Sequence, residues 1–200
     1  MKTTIIDNVG VITLNDPSRL NALTVEMGDK FKAAVDGFVV AAKEQKIRSV
    51  VVTGEGDAFS AGGDLNWLKQ RQSESAFKNS TIMVDFYNRF LCIRNVGVPT
   101  IAAINGAAIG AGMCMTLACD MRIAASNAKL GFTFAKLGIH PGMGSSVLLP
   151  RVVSQETASY LLMSGAIVSG DEAKRLGLVL ESVEKVCIKN FIIDSDYQSI

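Results

Sequence analysis

Apolar and polar positions alternate over Thr3 to Ile6 and again over Val11 to Leu14, which predicts a hairpin turned at Asp7-Asn8-Val9-Gly10. Thr24 is a good helix N-cap, and Met27, Phe31, Ala34, Val35 and Phe38 recur at helical spacing up to about Ala42. Arg48 to Thr53, rich in β-branched residues, reads as a buried strand. Between Ser73 and Arg94 the positions Ile82, Phe86, Phe90 and Ile93 mark a long amphipathic helix, stopped by Gly97 and Pro99. Pro99 to Asn105 is a second buried strand. After a small-residue segment, Met113, Met115, Leu117 and Ala118 carry a buried helix up to Cys119, and Met121 to Ala125 forms a strand. Further on come a short strand at Leu130 to Phe134 and a helix at Ser154 to Met163. A capped helix start follows at Ser169 to Glu172, then a last strand at Leu178 to Val183. Strands and helices alternate without repeats or linkers, so the fold class is α/β in a single domain.

Composition narrows the function classes. The 200 residues are 48% hydrophobic, and 20 basic against 19 acidic side chains leave a net charge of +1. A nucleic-acid or membrane-surface protein would show a basic excess, so neither partner is expected. The N-terminus MKTTIIDNVG lacks a signal-peptide core, and every long apolar run is broken by polar residues. Cys92, Cys114, Cys119 and Cys187 have no zinc-like pairing and read as reduced thiols of a cytoplasmic protein.

The chemistry concentrates in glycine-bearing loops. Asn105-Gly106 leads into Gly110 and Gly112 at the start of the buried helix, where unpaired N–H groups and the positive end of the helix dipole favour negative charge. Phe59-Ser60-Ala61-Gly62-Gly63-Asp64-Leu65 is a second such loop, and Gly138-Ile139-His140-Pro141-Gly142-Met143-Gly144 a third. Dinucleotide binding fits poorly, because the spacing is not G-x-G-x-x-G and Asp120 comes too early for a ribose contact. A nucleophilic hydrolase built on Cys114, Ser145 or Ser146 would need a base, and the chain has one histidine, His140, and no G-x-S-x-G elbow. The third reading is an oxyanion hole assembled from two separate loops.

The third reading coincides with a family pattern. Phe59 to Leu65, then Ile104-Asn105-Gly106-Ala107-Ala108-Ile109-Gly110-Ala111-Gly112, then Ala118-Cys119-Asp120-Met121-Arg122-Ile123-Ala124 resemble the crotonase (enoyl-CoA hydratase/isomerase) superfamily. Asn15-Asp16-Pro17 with Leu20-Asn21-Ala22-Leu23, and later Leu130-Gly131, Leu137-Gly138 and Pro141 to Gly144, extend the likeness over roughly residues 3 to 183. The resemblance implies a crotonase-like spiral of ββα units over residues 1–186. It also implies assembly as homotrimers or hexamers, and an acyl-CoA thioester as substrate, with no cofactor beyond the coenzyme A the substrate carries. By the same resemblance the thioester oxygen is held by the N–H groups of Ala61 and Ala111. Gly62, Gly63 and Leu65 lie along the ligand, Asp64 steadies the loop, and Arg19, Leu20 and Ala22 contact pantetheine and phosphate.

Two departures from the pattern stand out. Where the family's hydratases carry two glutamates, this chain has Cys114 and Phe134, neither of which serves as a general base as a carboxylate does. His140, whose type of side chain titrates near neutrality, is the remaining candidate for proton transfer. Family members also usually continue through further helices, whereas here an atypical tail over residues 187–200 follows, an arrangement expected to weaken the assembly. The resulting expectation is an enoyl-CoA hydratase/isomerase-class protein that polarises a CoA thioester. The alternatives are a catalytically weak acyl-CoA-binding protein acting in assembly or regulation, and an acyl-CoA decarboxylase.

Overall fold

The computed structural model describes residues 1–188. In chain order it runs β1 (Lys2–Ile6), β2 (Val9–Leu14), α1 (Val25–Lys43), β3 (Ser49–Gly54), β4 (Ala58–Ser60), α2 (Leu65–Gln70) and α3 (Ala76–Leu91). It continues through β5 (Thr100–Ile104), β6 (Ala107–Ile109), α4 (Ala111–Thr116), β7 (Met121–Ala125), β8 (Leu130–Gly131), α5 (Ser145–Leu148) and α6 (Gln155–Ser164). The last elements are β9 (Ile167–Val168), α7 (Gly170–Arg175) and β10 (Glu181–Val183).

Two sheets result. One has six strands in the order β1-β2-β3-β5-β7-β10, and the other has four in the order β4-β6-β8-β9. Three times the chain passes from a strand of the first sheet to a strand of the second and then into helix, which is the expected ββα turn. Each turn advances by one strand, so the pairings β3·β5, β5·β7, β4·β6 and β6·β8 are all parallel. Parallel strands covered on both faces read as continuous apolar runs. Val50, Val51 and Val52 of β3 and Ala102, Ala103 and Ile104 of β5 are accordingly buried in the core.

The helix starts follow their caps. The hydroxyls of Thr24, Ser75, Ser154 and Ser169 accept from the N–H of Met27, Lys78, Thr157 and Glu172, and each fixes an N-terminus. The long helix expected from Ser73 to Arg94 is therefore shorter, beginning after Ser75 and tightening into a 3₁₀ turn at Cys92–Asn95. The hairpin turn is only Asp7-Asn8, both at positive φ, so Val9 and Gly10 belong to β2. The strand expected over Leu130 to Phe134 ends at Gly131, and that expected over Leu178 to Val183 begins at Glu181. Of the tail, 189–200 lie outside the described residues.

Candidate functional site

The loop after β4 is fastened to the loop after β2. Ala61 N–H donates to the Leu20 carbonyl at 2.9 Å, Leu23 N–H to the Gly62 carbonyl at 2.8 Å, and Asp64 N–H to the Leu23 carbonyl at 3.2 Å. Ser60 Oγ adds a bond to the Asn21 carbonyl at 2.8 Å. Asn21 itself is fully buried: its amide donates to the carbonyls of Glu55 and Ala58, and its oxygen accepts from Asp16 N–H. These bonds bracket Gly63 in a parallel bridge with Leu23. In such a bridge the central residue's own N–H points away from its neighbour. Gly63 N–H has no acceptor among the described residues.

The second loop lies directly against the first. Gly110 N–H donates to the Gly131 carbonyl at 2.8 Å, and Cys114 N–H closes the first turn of α4 onto the Gly110 carbonyl at 3.0 Å. Ala111 is thus the first residue of the helix, and its N–H has no acceptor among the described residues. A β-carbon on Gly62 would sit 2.5 Å from the Ile109 oxygen and 3.5 Å from the Ala111 nitrogen. One on Gly112 would meet Ser60 at 2.5 Å. Glycine at both places lets the two backbones touch. At its far end α4 is held by buried Arg122, which donates to the carbonyls of Cys119, Thr116 and Leu178.

A cavity of about 380 Å³ opens over this junction. Gly62, Gly63, Gly110 and Ala111 form one wall, and Leu65, Leu68, Met83, Phe86, Ile109, Leu137 and Ile139 make the rest largely apolar. Among the described residues no carboxylate lines it. Its titratable members are His140, exposed at the rim, and Tyr87. The Tyr87 hydroxyl lies so close under Gly142 that a β-carbon there would approach it to 2.2 Å. Burial raises the Tyr87 pKa.

The expected site residues divide accordingly. Gly62, Gly63, Leu65, Ala111, Phe134 and His140 line the cavity together. Ala61 also lines it, but its N–H is committed to Leu20, so the loop presents the Gly63 N–H to the cavity and not that of Ala61. Cys114 is fully buried below the cavity wall and does not line it, and burial pushes its thiol up to about 12. Asp64 caps α2 through a bond from Trp67 N–H at 2.8 Å. Arg19, Leu20 and Ala22 do not line the cavity either. Arg19 grips the Asp16 carboxylate at 2.5 and 2.7 Å, and Leu20 acts through its carbonyl. Tyr87 escaped the sequence reading because its neighbour Phe86 already accounted for that stripe of the helix as core.

Comparison with known proteins places the sequence and the fold. Residues 4–192 match the family model described as enoyl-CoA hydratase/isomerase. A protein of Mycobacterium tuberculosis named a probable enoyl-CoA hydratase is 40% identical over 173 residues, which cover 86% of this chain and 65% of that one. The mitochondrial methylglutaconyl-CoA hydratase of Mus musculus is 35% identical over 182 residues, covering 90% and 56%. The chain therefore spans less than two thirds of the length of these curated relatives. Crystal structures of enoyl-CoA hydratases from Polaromonas sp. JS666 and Bacillus anthracis superpose with TM-scores of 0.84 and 0.85 at 34% and 32% identity. They cover 96% and 95% of this chain, and 73% and 72% of their own. Fold and sequence agree, and the chain belongs to the enoyl-CoA hydratase/isomerase family.

Proposed function

We propose that this protein binds an acyl-CoA thioester and polarises its carbonyl between the N–H groups of Gly63 and Ala111. The observation that carries this reading is the pair of donors without an acceptor among the described residues, on two touching loops at the wall of one apolar cavity. Negative charge gathers on a thioester oxygen as an enolate forms, and each donor aimed at such an oxygen typically contributes roughly 3–4 kcal/mol to the transition state. The acyl group lies in the apolar cavity, and the pantetheine arm runs out past Arg19 to Ala22. Coenzyme A enters as part of the substrate with no separate cofactor, and the functional assembly is a homotrimer or hexamer.

Within the enoyl-CoA hydratase/isomerase class, proton transfer falls to the polar groups that line the cavity, His140 first and Tyr87 second. A second reading has its own observation. No carboxylate lines the cavity among the described residues, and an acyl-CoA that loses carbon dioxide reaches its enolate without an enzymic base. Incubation with crotonyl-CoA and with malonyl-type CoA esters, followed by mass analysis of the CoA products, separates the readings. Hydrated product supports the first, and decarboxylated product the second. Thioester binding without turnover leaves a binding protein acting in assembly or regulation. Absence of thioester binding overturns the oxyanion assignment.

A further inference from the structure

A second cavity, of about 440 Å³, adjoins the first and shares Leu65, Leu68, Met83, Leu137 and Ile139 with it. Each is within the size range of small-molecule sites, about 300–1,000 Å³. Sharing these five apolar residues makes the second cavity a neighbour of the first, on a side that Gly63 and Ala111 do not line. Its lining differs, because Lys69, Arg71, Gln72 and Asn79 take part in it and no carboxylate does among the described residues.

Arg71 is the unusual member. It is half-buried, makes no ion pair among the described residues, and its Nε is buried without an acceptor. Its guanidinium stands 5.6 Å from the centre of the Trp67 ring, which orients the group. Asn79 fixes the turn that carries Arg71, donating to the Arg71 carbonyl at 2.7 Å and the Glu74 carbonyl at 3.4 Å, while its own oxygen is buried without a donor. The Glu74 carboxylate acts on Arg71 only electrostatically and is itself paired with Lys78 at 2.7 Å, so the guanidinium keeps an unfilled Nε donor, and a guanidinium matches a carboxylate better than any other common group.

We propose that the acyl chain taken by this site is long enough to pass Met83 and Leu137 and ends in a carboxylate held by Arg71, so that the substrate class is the monothioester of a dicarboxylic acid with coenzyme A. The inference rests on the acyl-CoA reading of the first cavity and adds the identity of the acyl group. Lys69, on the same side, supplies further positive potential.

Calorimetric titration of the whole chain with four thioesters tests it: acetyl-CoA, octanoyl-CoA, the CoA monothioester of octanedioic acid, and omega-hydroxyoctanoyl-CoA. A hydrogen bond to a charged group corresponds to about tenfold or more in affinity, so the dicarboxylic thioester should bind at least that much tighter than octanoyl-CoA. Arg71→Met, which keeps the packing on Trp67, should abolish this preference without weakening octanoyl-CoA. Arg71→Lys should retain part of it. Octanoyl-CoA binding as tightly as the carboxylated chain, or a preference that survives Arg71→Met, would overturn the proposal. A hydroxyl end preferred over a carboxylate end would assign recognition to the Asn79 oxygen and overturn it too. Acetyl-CoA binding as tightly as all the longer chains would refute the acyl-chain inference while leaving thioester binding intact. Failure of every thioester to bind would refute both.

Discussion

Gly62 lies against Ile109 so closely that a β-carbon on Gly62 would stand 2.5 Å from the Ile109 carbonyl oxygen. Gly62 also has φ +94, a conformation that side chains rarely adopt. Gly62→Ala must therefore strain the backbone and push apart the two loops that present Gly63 and Ala111. We expect a loss of at least about 2 kcal/mol in urea denaturation, with weakened thioester binding. Gly63→Ala is the control. Its β-carbon would meet only the Leu68 side chain, Cδ1 at 3.4 Å and Cγ at 3.9 Å, and it keeps the N–H. That variant should stay within about 1 kcal/mol of wild type and still bind.

Asn21 joins three segments through one side chain. Asn21→Ala would leave the Asp16 N–H and the carbonyls of Glu55 and Ala58 without that partner, and Asn21→Asp would set carboxylate oxygens against two carbonyls. An unsatisfied buried polar group costs about 1–3 kcal/mol, so both variants should lose at least about 2 kcal/mol in chemical denaturation. Asn21→Asp should improve as the carboxyl is protonated at low pH, whereas Asn21→Ala should not. A variant as stable as wild type would show that the loop is held elsewhere.

The long elements were legible because their periodicity exceeds the noise of single residues. Thr24 with Met27, Phe31, Val35 and Phe38 placed α1, and Ser154 placed α6. Of the second sheet only β8 was legible, from Leu130, and as a longer strand than it is. Its strands β4, β6, β8 and β9 are two or three residues long, too short for alternation to show. At the site, the loop chemistry was readable from the glycines, but the choice between Ala61 and Gly63 was not. That choice depends on which N–H the Leu20 carbonyl takes, a contact across about forty residues. Nothing in the sequence singles out Arg71 or Asn79, and only the tertiary fold places them at a cavity.

The buried thiols predict both reactivity and alkaline lability. Cys114 and Cys119 are buried, and burial pushes both thiols up to about 12 from an ordinary value of 9.0. Cys187 is exposed. Native protein treated with iodoacetamide should carry label at Cys187 first, with Cys114 and Cys119 modified only in denaturant, as read by mass spectrometry. For stability the sign is fixed by the raised folded-state values. Below about pH 9 both states hold the protons, and above it the unfolded chain releases them first. Stability should fall from pH 9 towards 12, by about 1.4 kcal/mol per pH unit for each thiol. Cys114→Ala with Cys119→Ala should flatten that decline.

Phe134 lines the cavity, and by the family resemblance it stands where a hydratase would carry a glutamate, so the proposed function makes a prediction there. A positioned acid or base contributes about 10²–10⁴-fold, so wild-type hydration of crotonyl-CoA should fall short of a carboxylate-bearing relative by at least that range. Phe134→Glu puts a carboxyl on the cavity wall within the same shell as Gly63 and Ala111, and should raise the rate by about 10²-fold. Because the site is apolar, burial will raise the pKa of the introduced group, and only its ionised form acts as a base. The gained activity should accordingly climb with pH through a midpoint above the usual carboxylate range, and should do so equally in a His140→Ala background. His140→Ala in the wild-type background decides what supplies the residual rate. A loss of tenfold or more assigns it to His140, at the rim. An unchanged rate, together with loss in Tyr87→Phe, moves the proton to the hydroxyl beneath Gly142. Fast hydration by wild type, unaffected by either change, would mean that the cavity described here is not where the water is activated.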